Sequence, residues 1–306
     1  MNHPWLRLAL PLCGLLALAA CKREPAELQG AATEPAAAVR DLARHLQRDD
    51  LAGFARAALP PAYHAQLETA WREGRSRWPL TELPLDDQLL PMLTALSAPD
   101  AGRKLRRSFD SQFARQDRDL REAARTLGLF GVQYVRNEGD YSEEERDHYA
   151  QVIAALSDWA AQAPLGDPAR AHAAIDRLTA AARQADLASE EALQAAGMQA
   201  SLQRLAPVSA ALKATLASYG LDLDATLTDL RTGLVEQEGG QARVRIHYPL
   251  GEAEIDTVVS LERHDGRWYL SGYLRQAEAA MAPPPVELPP PPEIDPAAAP
   301  PAPDTA

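Results

Sequence analysis

Residues 231–276 combine alternating apolar and polar side chains with three turn signals, and this pattern constrains the fold more than any other feature. In residues 241–248 every second side chain is apolar, as in a strand that buries one face. Asp265-Gly266 is the strongest short hairpin signal in the chain. Gly239-Gly240 and residues 249–252 supply two further connections. The pattern predicts a four-stranded antiparallel meander over roughly 231–276.

The turn positions also predict which residues face each other across the strands. A two-residue loop at Asp265-Gly266 and a four-residue loop at 249–252 keep one face of the sheet apolar. The predicted pairs on that face are Leu261 with Leu270, Val259 with Gly272, Thr257 with Leu274, Ile246 with Ile255, Val244 with Thr257, and Val235 with Val244. On the other face they are His247 with Glu254, Arg245 with Asp256, and Arg243 with Glu236. Because a slip of one residue would exchange the two faces, agreement on both supports this register.

The chain before the strands has helical periodicity from residue 33 to residue 220. Ser142 and Glu145 have capping-box spacing, and Asp167-Pro168 has the signature of a helix start. The less regular stretches are residues 79–99, which predict a loop with one short helix, residues 105–127, which predict a long helix, and residues 128–140, which predict a short strand or a turn.

A sheet with a single apolar face needs a second layer to cover it, and the preceding helices supply that layer. We therefore expect an α+β fold. A mostly helical region at 33–220 packs on a C-terminal four-stranded antiparallel sheet, which follows a short helical turn within 221–276. Trp71, Trp78, Trp159 and Trp268 are expected in or beside the core.

The amino-terminal residues have the pattern of an export signal. Arg7 precedes the apolar run 8–18, which is too short to span a bilayer as a mature helix. The following Leu18-Ala19-Ala20-Cys21 resembles the lipobox of bacterial lipoproteins. The resemblance implies that residues 1–20 are a removed signal peptide and that Cys21 carries lipid chains. Residues 21–32 would then be a lipidated tether.

Two neighbouring residues bear on this expectation. Cys13 lies in the removed segment, so Cys21 would be left without a disulfide partner. Lys22 follows the cysteine, whereas the family's usual signal for inner-membrane retention is an aspartate. The resemblance therefore implies an outer-membrane protein that faces the periplasm, held to the membrane through Cys21.

Charge and composition limit the partners of the chain. It contains 31 Lys and Arg against 43 Asp and Glu, a net charge of −12, which suits neither nucleic acid nor anionic lipid head groups. Residues 277–306 are dominated by proline and alanine and are expected to form a disordered tail. That tail is either an inert spacer or a polyproline ligand for a protein partner.

The ends of the folded region resemble those of NTF2-like domains. These domains open with helices like Ala37 to Pro61 and end in strands like Gln241 to Leu274, with a closing hairpin similar to Asp265-Gly266-Arg267-Trp268-Tyr269. The resemblance implies a helix-covered antiparallel sheet. Residues 80–218 would then be a large helical insertion.

The best polar cluster lies on the predicted outer face of the sheet and contains Arg245, His247, Glu254 and Asp256. An acid–base pair there is the functional interpretation, and a solvated face of complementary charges is the one that we favour. Tyr269 and Tyr273 are predicted on the same face, as candidates for partner contact. Glu144 and His148 are four residues apart and lack a third metal ligand nearby, so an exposed ion pair is expected. No catalytic residue, metal or cofactor is expected.

Three functions remain open at this point. The first is a non-enzymatic binding or scaffolding module of the bacterial envelope. The second is a binder of a small molecule or lipid fragment, with a cavity above Val244, Val259 and Leu270. The third is a hydrolase or isomerase that uses His247 and Asp256. An enclosed cavity favours the second function, a solid core favours the scaffold, and a concave site around His247 favours the enzyme.

Overall fold

The computed structural model describes residues 34–83, 86–138 and 141–282. The expected signal peptide, Cys21, the tether up to residue 32 and the tail from Pro283 lie outside the described residues. The helices are α1 (Pro35–Gln47), α2 (Leu51–Ala58), α3 (Pro61–Arg72), α4 (Asp86–Ser97), α5 (Ala101–Gln112), α6 (Asp117–Asn137), α7 (Glu143–Gln162), α8 (Pro168–Ala185), α9 (Glu190–Ala196), α10 (Met198–Ser218), α11 (Leu223–Thr228) and α12 (Ser271–Met281), with a short 3₁₀ helix at Leu80–Glu82. The strands are β1 (Arg231–Glu238), β2 (Gln241–Leu250), β3 (Ala253–His264) and β4 (Arg267–Leu270).

The predicted α+β fold is confirmed. The four strands form one antiparallel sheet in the order β1-β2-β3-β4, and helices precede it along the chain. Asp265 and Gly266 both have positive φ angles, 52° and 79°, as the first two-residue hairpin requires. That turn pairs Leu261 with Leu270, as predicted. The capping box of Ser142 and Glu145 is also present at the start of α7.

The β2–β3 turn shifts the register by two residues and keeps the same faces, whereas the Gly239-Gly240 turn gives the predicted pair of Glu236 with Arg243. The β2–β3 loop contains two residues, Gly251 and Glu252, rather than the predicted four. Ile246 therefore pairs with Thr257, not with Ile255. Between β1 and β2 a bulge at Val235 places Leu234, not Val235, opposite Val244. Because the first shift is by an even number of residues, no side chain changes face.

The last predicted strand is too long, and this is the main error. β4 ends at Leu270 and α12 begins at the next residue, so the predicted partners of Gly272 and Leu274 do not form. Residues 274–281 are rich in strong helix formers, and their helical preference overrides an alternation that Gly272 already interrupts. Leu274 and Ala277 are buried in the core. The expected tail therefore does not begin at Ala277.

Two differences concern the helices around α6. The predicted long helix is broken between α5 and α6, where Arg115 has a φ angle of 63° and its N–H donates to Gly166 O over 2.8 Å. Residues 128–137, predicted as a strand or a turn, continue α6. Gly128 permits close contact with α7, since a Cβ there would lie 2.1 Å from Ser157 Oγ. The glycine marks a helix crossing, not a turn.

The apolar face of the sheet is covered in two places. Ala38 and Val39 of α1 pack on Val244, Leu261 and Trp268. At the other end, Ala155 of α7 packs with Leu250 and Ile255. The region above Val244 is therefore a solid core. A larger cluster, centred on Trp71, Trp78 and Leu202, joins the helical region to α12.

The edge of β3 is protected by one side chain of α7. β4 pairs only with residues 261–264, so in the described part of the chain no strand lies beside the first half of β3 on that side. The N–H of Asp256 donates to Gln151 Oε1 over 3.1 Å, and Gln151 Nε2 donates to Asp256 O over 3.0 Å. Both backbone groups of Asp256 are thereby paired.

We predict that replacing Asp265-Gly266 by Val-Val lowers the free energy of unfolding by about 2–4 kcal/mol, because each β-branched residue is forced into the left-handed region. Urea denaturation followed by circular dichroism measures the change. Asp265→Asn is the matched control, since asparagine tolerates that conformation. Equal stability of the Val-Val variant and the wild type would reject the hairpin.

Candidate functional site

The predicted polar cluster is present, on an open face of the sheet. His247 Nε2 lies 2.7 Å from Glu254 and its Nδ1 lies 3.5 Å from Asp256, while Arg245 Nε lies 3.6 Å from Asp256. These side chains are between 33% and 60% exposed. Water screens such pairs, and each contributes about 0–1 kcal/mol. The structure thus brings the predicted residues together as a solvated row of charges rather than in a concave site.

Tyr269 lies on this face of the sheet, opposite Glu262, as predicted, but Tyr273 does not, and the prediction that both contact a partner is wrong. Tyr269 is 3% exposed, because α12 folds back over the side of β4 that carries it. Tyr273 belongs to α12, where its ring packs edge-on against Phe54 and Trp78. Burial raises the pKa of the Tyr273 hydroxyl. Tyr269 is a core residue, and Tyr273 is partly buried against the same core.

A large apolar groove lies at the other end of the sheet. It has a volume of about 870 Å³ and opens between α6, α7, α10 and α11, over the end of β2. Its walls are mainly aliphatic, with Ile153, Leu156, Leu212, Leu216, Leu227 and Tyr248 among the lining residues. Two of the residues that line it are strongly exposed, Leu127 at 68% and Leu212 at 49%. The groove is therefore accessible from solvent.

Three polar side chains in the groove wall, Ser157, Ser209 and Lys213, are bonded to protein partners. Ser157 Oγ donates to Ala124 O over 3.1 Å, and Ser209 Oγ donates to Asp49 over 2.7 Å. Lys213, almost fully buried, lies 3.1 Å from Asp49 and 2.5 Å from Asp224, and donates to two backbone carbonyls at the end of α1. A ligand would find these groups already occupied, so the groove is suited to hydrocarbon.

The Trp159 indole N–H donates to Tyr219 O over 3.0 Å, and a further polar contact of the groove joins Tyr248 to His148. His148 Nε2 lies 2.8 Å from the Tyr248 hydroxyl, 100 residues away in sequence. Burial lowers the pKa of the His148 imidazole and raises the pKa of Tyr248 to about 12. Glu144 pairs instead with Arg243 over 3.2 Å. The expected ion pair between Glu144 and His148 is therefore not formed.

The carboxyl group of Glu82 is a second group whose pKa is shifted. Burial, and then the neighbouring carboxylate of Asp86, raise the pKa of Glu82 to about 7, while the indole of Trp78 opposes them. Trp78 Nε1 is buried and has no hydrogen-bond partner within the usual distance and angle limits among the described residues. The charge of Glu82 in turn contributes to the raised pKa values of Tyr149 and Tyr273, after burial. Glu82 does not line the apolar groove.

Two further observations cover the described ranges 34–83, 86–138 and 141–282. No group of three or more His, Cys, Asp and Glu side chains is arranged there to hold a metal ion. None of the helices in these ranges has both the length and the hydropathy that crossing a bilayer would demand.

Most of the groove was missed by reasoning from sequence. Leu212, Leu216 and Leu227 have ordinary helical spacing, and nothing local distinguishes a leucine that lines a groove from one in a closed core. The surplus of apolar residues in α6 was an available signal. Leu127, Leu129 and Phe130 fall within four residues, more than one helix face can bury.

Comparisons with known proteins add no relative. No family model matches the chain, and no match was found among curated proteins or solved structures.

We predict that Glu82→Gln raises the free energy of unfolding relative to the wild type, and that it does so more at pH 8 than at pH 5. The folded-state pKa of about 7 exceeds the ordinary value of 4.5, so the stabilisation from the protonated carboxyl is complete below pH 4.5 and is lost as pH rises through about 7. Because the group is partly exposed, the gain at pH 8 is of the order of 1 kcal/mol. Urea denaturation at both pH values measures it. Glu122→Gln, at an exposed position of α6, is the control, and an identical pH response of both variants would contradict the assignment.

Proposed function

We propose that this protein is a lipid-anchored binding module of the bacterial envelope whose ligand is the hydrocarbon chain of a lipid or lipid fragment. The apolar groove between α6, α7, α10 and α11 carries this proposal. Its volume of about 870 Å³ lies within the range of about 300–1,000 Å³ that is common for ligand sites. Its walls supply aliphatic contacts along several elements, which suits a flexible chain.

The bonded polar groups define the chemistry of the ligand. Since Ser157, Ser209, Lys213 and Tyr248 already have protein partners, a polar head inside the groove would leave hydrogen bonds unmade. The chain of the ligand therefore occupies the groove, and its head group remains in solvent beside Leu127 and Leu212. This arrangement binds a molecule without transforming it, so we propose no catalytic role and no cofactor.

The location is part of the proposal and comes from the sequence. Leu18-Ala19-Ala20-Cys21 supports lipidation of Cys21, and Lys22 supports placement in the outer membrane, facing the periplasm. A single acyl chain holds a protein only marginally, whereas the several chains of a bacterial lipoprotein hold it firmly. A module tethered in this way works within reach of lipids.

A scaffolding role is the second candidate. The solid core above Val244 favours the scaffolding role. Such a core makes the sheet rigid, and a rigid sheet presents Arg245 and His247 as a fixed charged surface. The proline-rich tail would add a polyproline ligand for a protein partner. An acid–base function of His247 and Asp256 is not proposed, since both stand on the open face.

We predict that Leu127→Glu weakens binding of cis-parinaric acid, a fluorescent fatty acid, by about tenfold or more, because a carboxylate in the groove wall must lose water when the chain enters. Fluorescence titration gives the Kd. Leu129→Glu is the matched control: it lies on the same helix, is 76% exposed and does not line the groove. Absence of binding by the wild type, or equal weakening by both variants, would overturn the groove assignment.

We predict that Cys21→Ser moves the protein from the membrane fraction to the soluble fraction, because serine has no thiol with which to form the thioether bond to the lipid. Fractionation of cells and mass spectrometry of the amino terminus test this. Cys13→Ser is the control and is expected to leave the protein membrane-bound. An unmodified Cys21 in the wild type would sink the anchor model.

A further inference from the structure

We propose that two copies of this protein associate through an exposed apolar stripe of α6, packed as an antiparallel helix pair about a two-fold axis. The stripe consists of Ala123, Leu127, Phe130 and Tyr134. Such an assembly is independent of any ligand in the groove, so it goes beyond the proposed function.

The first observation is that α6 carries large apolar side chains away from the helix on which it packs. Gly128 and Val135, the buried residues of α6, share one side of the helix, and a Cβ on Gly128 would collide with α7. Leu127 and Phe130 are each 68% exposed, and Tyr134 is 52% exposed. A contiguous exposed apolar strip of this kind marks a contact with another molecule.

The spacing of the stripe is that of packed helices. Its four residues follow one another at intervals of four, three and four, which is the a/d spacing of a coiled coil. At about 100° per residue they fall within one narrow sector, roughly 100° around the helix from the side that faces α7. A second helix can therefore pack on the stripe without displacing α7.

The same intervals indicate that the second helix is another copy of α6. The order four, three, four reads the same in both directions, so a two-fold axis through its middle places each side chain of the stripe opposite another. Leu127 then meets Phe130 of the second copy. Ala123, the smallest of the four, meets Tyr134, the largest, and small side chains opposite large ones fill the space between helices evenly. A parallel pair would instead set Tyr134 against Tyr134.

The distribution of charge on α6 suits this occupant. Thr126 and Gln133, on the outer flank of the stripe, are exposed and uncharged. Four charged side chains lie between residues 120 and 137, and on a helical wheel all of them fall outside the sector of the stripe. They are Arg121, Glu122, Arg125 and Arg136. Depletion of charge and enrichment of aromatic residues are typical of the centre of a protein–protein interface.

Acidic residues limit the contact at its two ends. Asp119 precedes the stripe and Glu138 follows it, so the antiparallel arrangement brings each of them near the other residue on the second copy. Like charges repel, and salt screens exposed charges. The association is therefore expected to strengthen as salt is added, whereas attraction to an anionic membrane would weaken.

The area of the stripe is sufficient for a weak specific dimer. Since a buried aromatic side chain covers about 150–250 Å², the stripe and its uncharged flank expose on the order of 600 Å². Two copies together would bury roughly 1,200 Å², the lower end of the range for specific interfaces. We therefore expect an equilibrium between monomer and dimer at micromolar concentrations.

Sedimentation equilibrium of the full-length chain tests the proposal from low micromolar to several hundred micromolar protein. Every protein carries Cys13→Ser and Cys21→Ser, which removes both native thiols. The test variant is Phe130→Glu, which places a carboxylate at the centre of the contact. The matched control is Leu129→Glu, the same change one residue away, at a position that is 76% exposed and lies outside the stripe.

We expect the parent protein and Leu129→Glu to dimerise as concentration rises, and Phe130→Glu to dimerise at least about tenfold more weakly. Circular dichroism confirms that both variants fold. A parent protein that stays monomeric, equal weakening in both variants, or a dimer that salt dissociates would overturn the proposal. So would a monomeric parent protein that sediments with lipid vesicles, since the stripe would then contact a membrane.

Disulfide formation tests the antiparallel arrangement. Two single-cysteine proteins, Ala123→Cys and Tyr134→Cys, are oxidised separately and as a mixture. A disulfide needs Cα atoms within about 7 Å of each other, and these two positions meet across the proposed axis. The mixture is therefore expected to give a covalent dimer, and each protein alone very little. Cross-linking of Ala123→Cys with itself would contradict the antiparallel arrangement.

The same proteins separate the dimer from the proposed function. Leu127 belongs both to the stripe and to the groove wall, but Phe130 does not line the groove. Phe130→Glu is therefore expected to retain solution binding of cis-parinaric acid. Loss of the dimer with fatty-acid binding intact supports the interface. A dimer that binds no fatty acid supports the interface and rejects the groove.

Discussion

The burial of one apolar face of a four-stranded sheet is the constraint on which the rest of the structure depends. No single helix covers that face. α1 closes one end over Val244 and Trp268, while α7 closes the other over Leu250 and Ile255. α1 ends beside the groove, and Leu46 near its end belongs to the lining. The groove lies where the helices that cover the two ends of the sheet leave a gap between them.

The buried ammonium group of Lys213 keeps the elements around the groove in place. Lys213 joins α10 to the end of α1 and to Asp224 of α11, through two carboxylates and two carbonyls. Helix ends leave carbonyl groups without intrahelical partners, and the ammonium group donates to two carbonyls there, Gln47 O and Leu46 O, the second of which also accepts from Asp49 N–H. The elements around the groove are thereby fixed by polar contacts, so the apolar side chains between them need not close on one another.

The features that were predictable from sequence depend on local chemistry. The left-handed turn at Asp265-Gly266 and the capping box at Ser142 are set by neighbouring residues, and both are present. The charge pairs of the outer face followed from alternation, although His247 now lies opposite Asp256 and reaches Glu254 diagonally. α12 was missed because period-two spacing was extended across Gly272, against the helical preference of the following residues.

The groove was beyond prediction from sequence because no local pattern encodes it. Its wall comes from elements far apart in the chain, and the contact between His148 and Tyr248 spans 100 residues. Gly128 was misinterpreted for the same reason: the need for glycine there comes from Ser157 on the adjacent helix.

The bond between Gln151 and the backbone of Asp256 would have a consequence if the protein is tethered to a membrane, as proposed. A bare strand edge is a template to which a neighbouring molecule can add its own strand, and tethering to a membrane would raise the frequency of such encounters. The glutamine amide imitates an incoming peptide group and occupies the place that a neighbour's backbone would take. One uncharged side chain thus occupies both backbone groups of Asp256 at this point of the β3 edge and leaves the charged outer face of the sheet exposed.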